Sequence, residues 1–379
     1  MMNKPIGERQ NKDIVVVMRG PSTVIFPKEK SLCITSFPTH TGSVRVVLTT
    51  RWIKHKNELP GNLWIEISGR ASSLEEALLP FANAGIRLLP TLSLSSNAAI
   101  GLPDIEVGFD NTPGVTERDY FQSYIPEEQC VLHTGRFVNI EASKALYRAI
   151  AINSERERIG RAASQYKMAL DYWRMGQESL ALSHLWMALE ALTKAKIRKE
   201  CIERGVENQE QLAECLSIEL RRLDPYIRKE ILLKGDAECY SKAKKASDGF
   251  EHGFLEFDKI RDYSMTARNQ MASYVRNAIL DLCDLNPDVY KTLTKKPYDK
   301  PLGHWPIVKY LRGKLIGKGD RLGAPGKMYP FVNWKTNVEH VTINHEEKEY
   351  NITITDKLNP ELAEGIKFQP SSAEVWEPD

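Results

Sequence analysis

From Ile14 to Val138 the apolar positions fall at every second residue or in short continuous runs. Ile14 to Met18 is one continuous run. Val44, Val46 and Leu48 alternate, as do Leu63, Ile65 and Ile67, and Ile105, Val107 and Phe109. Period-two spacing places one face of a strand on a core. Pro and Gly cut these runs at Gly20-Pro21, Pro60-Gly61, Pro90, Gly101 to Pro103 and Pro113-Gly114, which suits an antiparallel sandwich or a curved sheet. One short helix is expected within it, capped by Ser72 or Ser73, with Glu75 and Glu76 at its positive end and Pro80 near its close.

At Glu141 the pattern changes. Gly and Pro become scarce, and apolar residues recur every three or four positions. The spacing predicts helices over 142–174, 177–204, 208–234, 236–246 and 255–285. Gly176, Gly205, Gly235 and Gly249 serve as stops, Asn208 and Asp236 as caps, and Pro225 bends or splits the third helix. Asn286-Pro287 ends the last. Long helices with short joints make a bundle. After Asp299 prolines return, and Val341, Ile343, Ile352 and Ile354 alternate as a hairpin would. The fold class is therefore α+β: an antiparallel β-rich part (1–140), a helical bundle (141–293) and a C-terminal tail with a β-hairpin (294–379).

Composition narrows the function classes. Fifty-two basic residues against fifty acidic ones leave a formal charge of +2, so any contact with nucleic acid comes from a local patch and not from bulk charge. No uninterrupted apolar run reaches the roughly 20 residues of a membrane span, and residues 1–13 lack the apolar core of a signal peptide. The expectation is a soluble cytoplasmic protein with no membrane contact. Six scattered cysteines include no Cys-x-x-Cys pair and read as reduced thiols. Phosphate-binding loops, dinucleotide fingerprints, His-Glu-x-x-His pairs and Gly-x-Ser-x-Gly elbows are absent from the sequence. His340 and His345 would lie on opposite faces of a strand and read as surface. The reading includes no metal and no cofactor.

Four residues could carry chemistry. His252 lies in Ser247-Asp248-Gly249-Phe250-Glu251-His252-Gly253-Phe254, a Gly-flanked joint, where it either exchanges protons or ties down a turn. Lys245, with Lys242 and Lys244, precedes that joint and could bind phosphate; Lys194, Lys196, Arg198 and Lys199 form a second basic cluster. Glu190 lies in a helix that is apolar over most of its circumference. Arg268 lies on the apolar stripe of the last helix. The two are expected to pair, either as a structural ion pair or with Arg268 held ready for phosphate.

At these residues the chain resembles the HEPN superfamily, in particular its ApeA-like and MauJ-like branch. The resemblance rests on the helix with Leu185 to Thr193, the joint Ser247 to Phe254, the long helix after it, and the stretch Asn97 to Tyr124. It implies a helical bundle that forms a homodimer, and in many members metal-independent RNA cleavage in toxin, phage-defence or stress systems. The family motif is an Arg, four to six residues, then a His. Arg268-Asn269 matches its start, with Ser273 where the shortest spacing places the histidine, and Lys245 precedes His252 at the longest spacing. Two functions follow as expectations. One is an RNA-acting protein with His252 as acid–base group and Lys245 or Arg268 as phosphate ligand. The other is a non-catalytic dimeric module whose β part meets a ligand or protein partner.

Overall fold

The computed structural model describes residues 11–40, 42–54, 58–123, 134–253, 255–303, 308–318, 321–344 and 349–376. Tyr124, Phe254 and His345, all named above, lie outside the described residues, as does one of the six cysteines, Cys130.

The N-terminal strands are β1 (Lys12–Gly20), β2 (Val24–Ile25), β3 (Leu32–Thr39), β4 (Gly42–Lys54), β5 (Glu58–Ala71), β6 (Asp104–Asp110), β7 (Tyr120–Gln122) and β8 (Thr134–Phe137). Six of them form an antiparallel sheet in the order β3-β4-β5-β1-β6-β7. The alternating residues Val44, Val46, Leu48, Leu63, Ile65 and Ile67 are buried as their spacing predicts. On β6 the buried face is the other one: Gly108 and Asp110 point inward, and Val107 and Phe109 are only half-buried. A side chain at Gly108 would collide with Leu78 and Leu74, so the strand lies close under a helix.

That helix, α1 (Leu74–Ser96), is 23 residues long and not the short element expected. Ser73 caps it, accepting a hydrogen bond from the Glu76 amide. Pro80 and Pro90 lie inside it without ending it. Each costs about 3 kcal/mol in a helix interior, but Ala77, Phe81, Gly85, Leu88 and Leu92 keep helical spacing and are buried against the sheet. Tertiary burial outweighs the local breaker. Among the described residues α1 is the one helix long and apolar enough to cross a membrane, and 67% of its apolar stretch is buried inside the fold.

The helical part contains α2 (Ile140–Ile152), α3 (Arg156–Asp171), α4 (Glu178–Arg204), α5 (Gln209–Cys215), α6 (Leu223–Tyr226), α7 (Ala237–His252), α8 (Phe257–Leu282) and α9 (Pro287–Thr294). The expected helix 142–174 is two, because Asn153 breaks the chain: its side-chain Nδ2 donates to Leu282 O, and its Oδ1 accepts from the Glu155 amide. The expected helix 208–234 is a series of short turns, with a π-helical stretch at Ile227–Leu232. Gly249 is no stop. It lies within α7, where a Cβ would stand 2.7 Å from Leu255 Cδ1, and the left-handed stop is Gly253. Asn286-Pro287 starts α9 and does not end α8: Asn286 caps it and Pro287 is in its first turn. Tyr166, Leu185, Leu189, Leu192, Met271, Val275 and Ile279 fill the common core.

The tail forms β9 (Val308–Ile316), β10 (Phe331–Asn344), β11 (Glu349–Glu361) and β12 (Lys367–Trp376). The expected hairpin is β10–β11, with Val341 opposite Ile352. His340 falls in β10. The hairpin returns to the N-terminal half: β11 pairs with β8, and β8 runs parallel to β2.

A polar knot joins these parts at the C-terminal end of α1. Arg136 Nη1 donates to Ser96 O, Asn97 O and Lys300 O at 3.0, 2.8 and 2.9 Å. Arg276 of α8 donates to Leu94 O and Leu293 O at 2.9 and 2.8 Å. Two buried cations thus meet the negative end of the helix dipole. Asn97 ends the helix in left-handed geometry and joins Tyr166 of α3 to the chain at Tyr298.

Candidate functional site

His252 is the last residue of α7 and is exposed. Lys245 lies seven residues earlier, on nearly the same face and about 10 Å along the axis. Its ammonium stands 5.8 Å from the centre of the Tyr263 ring. The other lysines of the run are occupied: Lys242 pairs with Glu238 and Lys244 with Asp248, each at 2.6 Å. The Asp248 hydrogen bond holds the Lys244 ammonium above its usual range. The α4 cluster is occupied as well. Lys194 pairs with Asp224, Lys196 with Glu200, Arg198 with Glu155 and Lys199 with Asp284. These runs are neutralised helix surfaces.

The expected Glu190–Arg268 pair does not form. The Glu190 side chain is 46% exposed and pairs with Arg228 at 3.1 Å. Arg228 in turn lies over the Trp186 ring and donates to Thr193 Oγ1. Helix α4 is apolar nearly all round because other helices cover it, and Glu190, Lys194 and Arg198 share the narrow stripe left to solvent. The expectation failed because it ranked Glu190 by its apolar neighbours and missed this stripe, which runs at four-residue spacing.

Arg268 is buried, as its place on the apolar stripe predicts. Its guanidinium lies 4.4 Å from the centre of the Trp173 ring, a cation–π contact. Among the described residues Nε and Nη1 have no hydrogen-bond partner. Burial pushes its pKa down, and the nearby Glu178 carboxylate opposes that shift. Glu178 opens α4 and accepts from the Gly176 amide. One turn before Arg268, Ser264 Oγ meets Ser179 Oγ at 3.3 Å. Arg268 thus belongs to a buried polar cluster where α8 meets the start of α4.

The structure keeps Arg268 and His252 apart. Cys239 Sγ lies 4.0 Å from Ala267 O, so Arg268 sits beside the start of α7. His252 is 13 residues further along that helix, about 20 Å at 1.5 Å per residue. Within one chain the two cannot touch the same phosphate.

Sequence reasoning passed over His184. Its Nδ1 lies 2.8 Å from Gln165 Oε1, and its ring stacks on Tyr172 with planes 3° apart and centroids 5.4 Å apart. Burial pushes its pKa down, and the Asp171 carboxylate opposes this. Tyr172 and the next residue, Trp173, therefore each carry a basic group at the α3–α4 turn. The available signal was a lone histidine in a helix that is apolar over most of its circumference. Among the described residues no cluster of three His, Cys, Asp or Glu is placed to hold a metal ion. No family model, curated protein or solved structure matches the chain.

Proposed function

We propose that the chain is a HEPN-like, RNA-acting protein of a bacterial defence or stress system that holds RNA and does not cut it. The observation that carries the absence of cutting is that the buried Arg268 lies far from His252, while Lys245 stands about 10 Å along α7 from it with its ammonium over the Tyr263 ring: an acid–base group and a phosphate ligand must reach one phosphodiester. The test is incubation of the full chain with structured and unstructured RNA, with and without chelator. The expected result is bound, intact RNA in both conditions. Cleavage that persists in chelator and falls by about 10²–10⁴ in His252→Ala would establish the endoribonuclease reading instead, which the exposure of His252 favours.

The reading includes a homodimer through the helical part. Most apolar residues of α4 are used inside the bundle, and Ile202 near its C-terminal end is the exposed exception, so the body of α4 does not supply the contact. On the α7–α8 side the exposed apolar residues are Phe257 and Met265 on α8, 62% and 53% exposed, with Phe250 at the end of α7. A two-fold contact is the default for such a surface. Sedimentation should give a dimer for the wild type and a folded monomer for the double variant Phe257→Glu, Met265→Glu. A wild type that stays monomeric at high concentration excludes it.

A further inference from the structure

Strands β9 and β12 form a two-stranded sheet of their own. Its register sets Lys314 opposite Gln369 and Ile316 opposite Lys367. Alternation along a strand then collects Arg312, Lys314, Lys367 and Gln369 on one face, and all four are exposed. The other face holds Leu311, Gly313 and Leu315, with the Phe368 ring lying so close over Gly313 that a Cβ there would stand 2.4 Å from it. Over both strands the basic residues are Lys309, Arg312, Lys314 and Lys367 against the one acid Glu374, and Lys318 follows β9.

Exposed rings stand at one end of the ribbon. Tyr329 and Phe331 are 67% and 54% exposed. Their segment is tied to the turn that leads into β12: Gly323 bridges to Leu362 and lies under the Tyr329 carbonyl, and Phe331 pairs with Glu361. Cations two residues apart on a strand repeat about every 6.8 Å, which lets an extended ribbon follow an extended polyanion. Single-stranded RNA offers both a charged backbone and flat bases that stack on aromatic rings. An anionic membrane offers the charge without the bases.

We propose that the β9–β12 ribbon is an RNA-binding arm, in which Arg312, Lys314 and Lys367 contact the phosphates of a single strand and Tyr329 and Phe331 stack its bases. The choice of RNA as the polyanion rests on the HEPN-like reading, but the test is independent of cleavage. Anisotropy of a labelled single-stranded RNA, in chelator, compares the full-length wild type with two variants. Arg312→Ser, Lys314→Ser, Lys367→Ser should weaken binding about tenfold or more and lower the slope of log affinity against log salt by about 2, at 0.7 per phosphate contact. Tyr329→Ala, Phe331→Ala should weaken binding about tenfold and leave the slope unchanged. Both variants should melt as the wild type does. A triple variant that melts as the wild type and binds RNA as tightly overturns the proposal. So does a wild type that ignores RNA and binds phosphatidylserine vesicles through these residues. Cutting by the wild type would refute the holding function and leave this arm in place.

Discussion

Arg276→Met should lower the stability of the protein by about 3 kcal/mol or more, although methionine keeps much of the side-chain volume. Arg276 is 2% exposed. Its Nε and Nη2 donate to Leu94 O and Leu293 O at 2.9 and 2.8 Å, with a longer 3.4 Å contact to Ser95 O. Leu94 and Ser95 belong to the last turn of α1, whose carbonyls have no partner within the helix. Each well-made acceptor left bare in the interior costs about 1–3 kcal/mol. The guanidinium itself pays for burial, which pushes its pKa down, and relief of that cost limits the loss. Urea unfolding measures the effect. Arg276→Lys should recover only part of it, because an ammonium lacks the planar fork that meets two separate carbonyls. A loss below about 1 kcal/mol in Arg276→Met would show that water or a neighbour takes over these carbonyls.

Arg268 lies two turns earlier on the same helix and shows what sequence can and cannot say about a buried arginine. Both residues fall on the inward stripe of α8, and helical spacing alone places them there. Their partners come from elsewhere in the chain: backbone carbonyls of α1 for one, a Trp173 ring for the other. Neither contact is local, so neither is written in the spacing. The expected partner of Arg268 is Glu190, because each falls on the apolar face of its own helix and would be costly alone, yet Glu190 serves Arg228.

The strands were legible for a similar reason that α1 was not. Val44, Val46 and Leu48 alternate on a two-sided strand whose neighbours are a hairpin away, and local pattern is enough. In α1 the prolines are local and speak against a helix, whereas the sheet that holds it together is formed by β1, β4 and β5. At β6 the pattern misled in the opposite direction: the apolar Val107 and Phe109 face away from α1, and Gly108 faces it because Leu74 and Leu78 need the space. The site followed the same logic. His252 was found because it is bracketed by glycines, and Gly253 does stop its helix; His184 was not, because Gln165 lies within another helix, α3, and Tyr172 caps that helix.

The knot at α1 gives the second large expected effect, through Asn97. The residue is 1% exposed and has φ 49° and ψ 46°. Left-handed backbone costs most L-residues about 1–2 kcal/mol, and asparagine is among the few that visit it routinely. Its side chain is used at both ends: Oδ1 accepts from Tyr166 Oη at 2.6 Å, and Nδ2 donates to Tyr298 O at 2.9 Å. Tyr298 Oη donates in turn to Phe137 O, so one side chain links α1, α3, the segment after α9 and the end of β8. Burial pushes the phenol of Tyr298 up to about 12; it stays neutral and a donor across the working range. Asn97→Ala removes both bonds and leaves the backbone strained, with an expected loss of about 3–5 kcal/mol, the sum of two unmade buried bonds and one left-handed residue. Asn97→Gly removes the same bonds but relaxes the backbone, and should recover about 1 kcal/mol of that loss. Equal stability of the Gly and Ala variants would mean that the left-handed geometry costs nothing here. A Gly variant as stable as the wild type would mean that the two side-chain bonds contribute nothing, and that the three parts are held together by packing and by Arg136 and Arg276 alone.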